Sequence, residues 1–274
     1  MPLNETESLF SGGMIESQEY KTDVISALKI TPVFFMIDIS QSMAGNKIGI
    51  VNSTMEEIVR ELHDYNSSDS EIRFAILSFG TNCTWETGDE GLIPCEGFWN
   101  DLSVDGLTYF NTACRTLKEK LSGTNGFFKF AAGRTITPPV IILLTDGYAN
   151  DANFNSNGDE GIAELNKNKY FRGAYRIAIA VGDGANQTLC ENFTGDKELV
   201  YTTHNTAALR KILNIVVKNS VTVSSSGVSQ LNSADVKIDE VAPSTVVLKK
   251  QLQNEVKADK KISDDFNVVD DDWD

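Results

Sequence analysis

The chain has 274 residues, 41% of them hydrophobic, which suits one α/β domain with tails as well as two domains. Its net charge of −15 would repel a nucleic-acid backbone or an anionic membrane and attract cations or basic surfaces, although such a charge can also serve solubility alone. The longest apolar runs, 33–37 and 140–144, are too short for a membrane helix, and the N-terminus shows no export signal. These features predict a globular protein of the cytoplasm that binds neither nucleic acid nor membrane.

Between residues 31 and 220, short apolar runs alternate with segments of helical periodicity. This alternation is typical of βα units, and it predicts a doubly wound, mostly parallel sheet with helices on both faces. The predicted strands are 33–37, 74–77, 140–144, 177–181 and 199–201. Apolar stripes at three- and four-residue spacing predict helices over 48–62, 113–121 and 209–216.

The regions outside this alternation have a different composition. Residues 82–100, rich in aromatic residues and glycine, indicate an edge hairpin or a surface loop. We interpret 1–30 as an N-terminal extension, 31–220 as the domain, and 221–274 as a linker with an acidic C-terminal tail. Six aspartates and several apolar residues share the last eleven positions, so the tail is either solvated or a short motif that docks on a basic surface.

The four cysteines lack CxxC spacing and nearby histidines, which argues against a zinc site. Cys83 and Cys95 could pair across a hairpin in an oxidising compartment. In the predicted cytoplasmic setting we expect free thiols.

Polar side chains follow the first buried strand, in the run Asp38-Ile39-Ser40-Gln41-Ser42. Ligands of open α/β sheets collect at the carboxyl ends of strands, so this run lies where a site is expected. Oxygen side chains at alternate positions of a tight loop can converge on one point, and a carboxylate with two hydroxyls suits Mg²⁺. The alternative is that these residues only cap the following helix.

Two further oxygen-bearing residues belong to the same predicted edge. Asp146 follows the most apolar strand and precedes a glycine, so it is either a second carboxylate of the site or a turn residue. Thr108 lies in the loop ahead of the second predicted helix. That loop is a weak signal when taken alone.

The order and spacing of these elements resemble those of von Willebrand factor A (vWA) domains over residues 31–220. The resemblance implies Mg²⁺, with Mn²⁺ as the alternative ion, held directly by Asp38, Ser40 and Ser42, with Thr108 and Asp146 direct or through water. It also implies an open coordination position for an acidic side chain of a protein partner. Leu107 stands where the family usually has glycine, as does Asn111, and these departures leave Thr112 as a rival threonine ligand.

Within that family the chain looks most like the bacterial tellurium-resistance-associated TerY-like proteins. The resemblance rests on 32–43, 145–147 and 193–201. It implies a scaffold that works with a protein kinase and a PP2C-type phosphatase in a stress-response or phage-defence system.

The competing hypothesis is a Mg²⁺-dependent phosphoryl or ester hydrolase. A haloacid-dehalogenase-type phosphatase also places an aspartate after its first strand, but it needs a second acid two residues later, where this chain has Ser40. The sequence also lacks a GxSxG elbow and a GxxxxGK[ST] loop. We therefore expect a binding protein and not an enzyme.

Overall fold

A computed structural model describes residues 29–67, 70–95, 99–129, 134–151, 157–182, 184–203, 206–226 and 248–255. Within these ranges the strands are β1 (Lys29–Asp38), β2 (Ser70–Phe79), β3 (Cys83–Trp85), β4 (Ile93–Pro94), β5 (Thr135–Ile136), β6 (Val140–Thr145), β7 (Tyr175–Val181) and β8 (Val200–Thr203). They form one sheet in the order β3-β2-β1-β6-β7-β8, with β4 beside β2 and β5 beside β1.

The long strands are all parallel, which confirms the predicted doubly wound architecture. The chain builds β1 and β2 outward in one direction and then returns to the other side of β1 to build β6, β7 and β8. The strand order therefore reverses between β1 and β6. At such a switch point the loops after the two strands leave toward opposite faces and open a crevice at the carboxyl edge.

Helices cover both faces of the sheet, because the central strands are apolar on both sides. The helices are α1 (Asn46–Leu62), α2 (Phe110–Lys120), α3 (Asp159–Leu165), α4 (Lys169–Arg172), α5 (Gln187–Thr194) and α6 (Thr206–Ser226), with 3-10 turns at Gln41–Met43, His63–Tyr65 and Lys197–Leu199. Val33 and Phe35 of β1 point to the face covered by α1 and α6, whereas Phe34 and Met36 point to the face covered by α2, α3 and α5.

The described part of the predicted edge region contains two short strands. Both β3 and β4 run antiparallel to β2 and close that side of the sheet. Cys83 and Cys95 lie in this region as unpaired thiols.

A helical segment at residues 248–255 adds to the core from the region that the sequence assigns to linker and tail. Leu248 and Leu252 are fully buried against the α1 and α6 side. Lys249 forms ion pairs with Asp196 and Glu198, which precede β8, so the segment lies at the amino edge of the sheet. Residues 1–28 and 256–274, including the acidic tail, lie outside the described residues.

Within the described ranges, no helix combines the length and apolar character that a bilayer span requires.

Candidate metal centre

The two carboxylates of the predicted site lie at the switch point. Asp38 is the last residue of β1, and Asp146 directly follows β6, the neighbouring parallel strand. Both residues are buried, with exposed fractions of 0% and 7%. Buried carboxylates are unfavourable unless hydrogen bonds or a cation compensate them, so this edge needs polar partners.

A chain of hydrogen bonds connects the loop after β1 to Asp146. Asp38 Oδ1 accepts from the backbone N–H of Ser40 at 2.8 Å. Ser42 Oγ donates to Asp146 Oδ1 at 2.6 Å, so its single proton is used there. Ser40 Oγ, 3.0 Å from Ser42 Oγ, must then donate to Ser42.

The helix-capping alternative for this loop does not match the structure. Ser40 precedes the 3-10 turn at Gln41–Met43 without a side-chain capping bond, and the residue that precedes α1 is Gly45. The serine hydroxyls therefore face the cluster and leave the helix amides to other groups.

Asp38 is held from its other side by Thr145, a residue that sequence reasoning missed. Thr145 Oγ1 donates to Asp38 Oδ2 at 2.5 Å and accepts from the Gly147 N–H at 3.2 Å. Burial raises the pKa of Asp38 to about 6, the hydrogen bonds from Thr145 and Ser40 oppose this, and the charge of Asp146 adds to it. The ionised form is thus held at a free-energy penalty that a cation would relieve.

The structure separates the two rival threonines. A Cβ added to Gly147 would lie 3.1 Å from Thr108 Oγ1 and 3.5 Å from Asp38 Oδ2, so both oxygens lie against the same glycine. Thr112 donates from Oγ1 and from its N–H to Asp151 Oδ2, both at 2.8 Å. Thr108 therefore joins the cluster, and Thr112 belongs to the amino end of α2.

Backbone and amide hydrogen bonds hold the three loops of the site together. The Gln41 N–H donates to the Gly106 carbonyl at 2.8 Å. Thr108 and Asn150 bond twice: Thr108 N–H donates to Asn150 Oδ1 at 2.8 Å, and Asn150 N–H donates to the Thr108 carbonyl at 2.8 Å. The positions of the side-chain oxygens are thus fixed by the scaffold before any ligand arrives.

Lys47 is a further member of the site that sequence reasoning missed. Its ammonium donates to Asp146 Oδ2 at 2.9 Å and to the Ser42 carbonyl at 3.2 Å. The available signal was a lysine in the first turn of the helix that follows the serine loop. Lysine offers no oxygen ligand, so a metal-site motif does not include it.

The donor set suits a small, hard divalent cation. It consists of two carboxylates and three hydroxyls. Elsewhere in the described part of the chain, no three His, Cys, Asp or Glu side chains form a group that could hold a metal ion. Neighbouring oxygens around octahedral Mg²⁺ lie about 2.9 Å apart, given its bond lengths of roughly 2.0–2.1 Å. The Ser40–Ser42 and Ser42–Asp146 oxygen separations, 3.0 and 2.6 Å, are close to this spacing.

Two large apolar side chains flank the cluster. Leu107 and Tyr148 are each 51% exposed, which sets them apart among the large hydrophobic residues that the structure describes. Leu107 directly precedes Thr108, and Tyr148 follows Asp146 by two residues. Exposed apolar groups beside a polar cluster are typical of a surface that contacts other proteins.

Comparisons with known proteins agree with this fold. A family model described as von Willebrand factor type A domain matches residues 33–215. The search of curated proteins returned no match.

Solved structures share the fold at low sequence identity. The vWF domain of the type V pili tip protein Mfa5 from Porphyromonas gingivalis is 12% identical, with a TM-score of 0.52 over 77% of this chain and 99% of that one. Proximal thread matrix protein 1 from the mussel byssus is 23% identical, with a TM-score of 0.50 over 72% of this chain and 48% of that one. The ArnB paralog VWA2 from Sulfolobus acidocaldarius is 19% identical, with a TM-score of 0.50 over 68% and 45%. The chain thus spans less than half of the mussel and Sulfolobus proteins.

Proposed function

We propose that this chain, which belongs to the von Willebrand factor type A family, is a metal-dependent protein-binding module and not an enzyme. The observation that carries the proposal is the convergence of five oxygen-bearing side chains from three loops at one edge of the sheet. Those side chains are Asp38, Ser40, Ser42, Thr108 and Asp146. We assign Mg²⁺ as the ion, with Mn²⁺ as a substitute, because both prefer oxygen ligands.

The partner contributes an acidic side chain to the metal. With only two carboxylates among the five ligands, a bound Mg²⁺ keeps enough Lewis acidity to attract a further carboxylate. Leu107 and Tyr148 provide apolar contact area on either side. Both side chains lie on loops that the Thr108–Asn150 hydrogen bonds hold in place, so little conformational entropy is lost on binding.

The narrower biological setting belongs to the same proposal and rests on the sequence resemblance alone. We propose a TerY-like scaffold in the bacterial cytoplasm, with a protein kinase or a PP2C-type phosphatase as the partner, in a stress-response or phage-defence system. The acidic tail would be a second contact, for a basic surface.

The two threonines provide a matched test of the metal site. Thr108→Val and Thr112→Val each remove one hydroxyl with almost no change in volume. We expect Thr108→Val to weaken Mg²⁺ binding by about tenfold or more, since even groups behind metal ligands have effects of this size. Thr112→Val should leave the affinity within about twofold, because its hydroxyl bonds Asp151. Isothermal titration calorimetry measures both, and equal losses would contradict the assignment.

Partner capture and turnover separate the binding and hydrolase hypotheses. Protein partners should be retained from a host extract in Mg²⁺, and both EDTA and Asp146→Ala should release them. The same preparation should not hydrolyse p-nitrophenyl phosphate. Mg²⁺-dependent turnover that Asp38→Asn abolishes would instead favour the hydrolase.

A further inference from the structure

Lys47 forms an ion pair with a carboxylate that the metal also needs. The Asp146 side chain is 2% exposed, and the Lys47 side chain is 17% exposed. Asp146 Oδ1 accepts from Ser42 Oγ at 2.6 Å, and Asp146 Oδ2 accepts from Lys47 Nζ at 2.9 Å. Both oxygens of this ligand are therefore engaged by other groups of the chain.

The position of Lys47 suits a cation that can be exchanged. It lies in the first turn of α1, five residues after Ser42, and its ammonium also bonds the Ser42 carbonyl at 3.2 Å. A lysine carries its charge on a flexible four-carbon stem, so the ammonium can move to solvent without any shift of the helix. A divalent cation on Asp146 would repel the ammonium at this distance, and the repulsion is strong where water is largely excluded.

We infer that Lys47 is an internal counter-ion of Asp146, which competes with the divalent cation and lowers the affinity of the site for it. This inference deepens the proposed function and rests on it. The lysine stabilises the buried carboxylate when no metal is bound, and it must leave Asp146 Oδ2 before the metal can use that oxygen. Metal occupancy is thereby coupled to the position of a positive charge on the surface that the partner contacts.

Lys47→Gln and Lys47→Arg test the competition through two readouts of opposite sign. In EDTA, Lys47→Gln should lower Tm, because Asp146 loses its counter-charge. In calorimetric titrations with Mg²⁺ and with Mn²⁺, the same variant should bind about tenfold more tightly, since the competing ion pair is gone. Lys47→Arg should stay close to the parent in both. Lys218→Gln removes a positive charge from an exposed position of α6 and serves as the control for net charge.

A double-mutant cycle with Asp146→Asn identifies the pair itself. In that background and in EDTA, Lys47→Gln should lower Tm by much less than it does in the parent protein, because the carboxylate that Lys47 pairs with is absent. An equal loss of Tm in both backgrounds would show a long-range charge effect and overturn the inference. Parent protein that binds Mg²⁺ with the same affinity as Lys47→Gln would also overturn it while leaving the proposed function intact. Parent protein that binds no divalent cation would defeat both.

Discussion

The buried, ionised side chain of Asp38 lowers the stability of the folded protein. Its pKa is raised from 3.8 to about 6, chiefly by burial. The folded state therefore takes up a proton before the unfolded state does as the pH falls through 6. As the pH falls from about 6 to 4, the contribution of this group to the free energy of unfolding becomes more favourable. Above pH 6 the contribution is least favourable, about 3 kcal/mol lower than at a pH below 4.

Asp38→Asn should stabilise the metal-free protein and abolish its stabilisation by Mg²⁺. In EDTA near neutral pH we expect the free energy of unfolding to rise by about 1–3 kcal/mol, because an uncharged amide avoids the cost of burying an ion. The increase should shrink as the pH falls below 6, and Mg²⁺ should no longer raise Tm. Urea unfolding across this pH range measures the effect, with Asp64→Asn, whose side chain is 83% exposed, as the control. A variant less stable than this control at neutral pH would contradict the expectation.

The sequence identifies the site residues that follow strands. It does not identify a ligand when the choice between two candidates depends on a side chain from a distant loop. Asp38 and Asp146 could be expected at one edge because each lies at the carboxyl end of a buried parallel strand. The choice between Thr108 and Thr112 depends on Asp151, which arrives from another loop and binds Thr112. That contact has no signature in local spacing.

At the scale of elements, α3 approaches α2 closely through one glycine. A Cβ at Gly161 would lie 2.8 Å from Asn111 Cα and 2.7 Å from Cys114 Cβ, and the Gly161 N–H donates to Asn111 Oδ1 at 2.7 Å. Because α2 begins two residues after Thr108, this packing also supports the threonine loop. Asn111 occupies a position where the family commonly has glycine, and here its side chain accepts a hydrogen bond from the backbone of α3.

Two glycine-to-alanine substitutions in helices should therefore have opposite signs. Gly161→Ala should destabilise the protein by about 1–3 kcal/mol, because the added methyl overlaps backbone and side-chain atoms of α2. Gly49→Ala on α1 meets no atom within 4 Å and should stabilise by about 0.5–1 kcal/mol through helix propensity. Chemical denaturation measures both. A destabilising Gly49→Ala or a neutral Gly161→Ala would contradict the packing described here.

At the scale of the whole molecule, the parallel sheet could be predicted but the contribution of residues 248–255 could not. Each long strand is recognisable as a run of several apolar residues. Because these runs alternate with helical segments, only a few sheet topologies are compatible with the sequence. The 248–255 segment spans only about two helical turns, too few for a periodicity to be recognised. Its place is determined by the Leu248 and Leu252 contacts and by the Lys249 ion pairs across the molecule.

Leu252→Ala should destabilise the protein without changing its metal site. We expect a loss of about 2–5 kcal/mol, as for other fully buried leucines, whereas Lys250→Ala on the exposed side should change stability by less than about 0.5 kcal/mol. Mg²⁺ affinity should be unaffected, because the segment lies at the amino edge and the metal centre at the carboxyl edge. Denaturation and calorimetry on the same samples check both parts, and a stability equal to that of Lys250→Ala would show that the segment does not support the core.

The short outer strands also bear on how copies of this chain meet one another. Among the strands that the structure describes, the outermost on one side are the three residues of β3 and the two of β4, and Pro94 has no N–H to offer a neighbour. The outermost described strand on the other side is β8, with four residues. A strand from a second copy would find few backbone groups to pair with, which discourages side-by-side growth of the sheet into fibrils. The protein should therefore tolerate the high concentrations that titration with weakly binding metals demands.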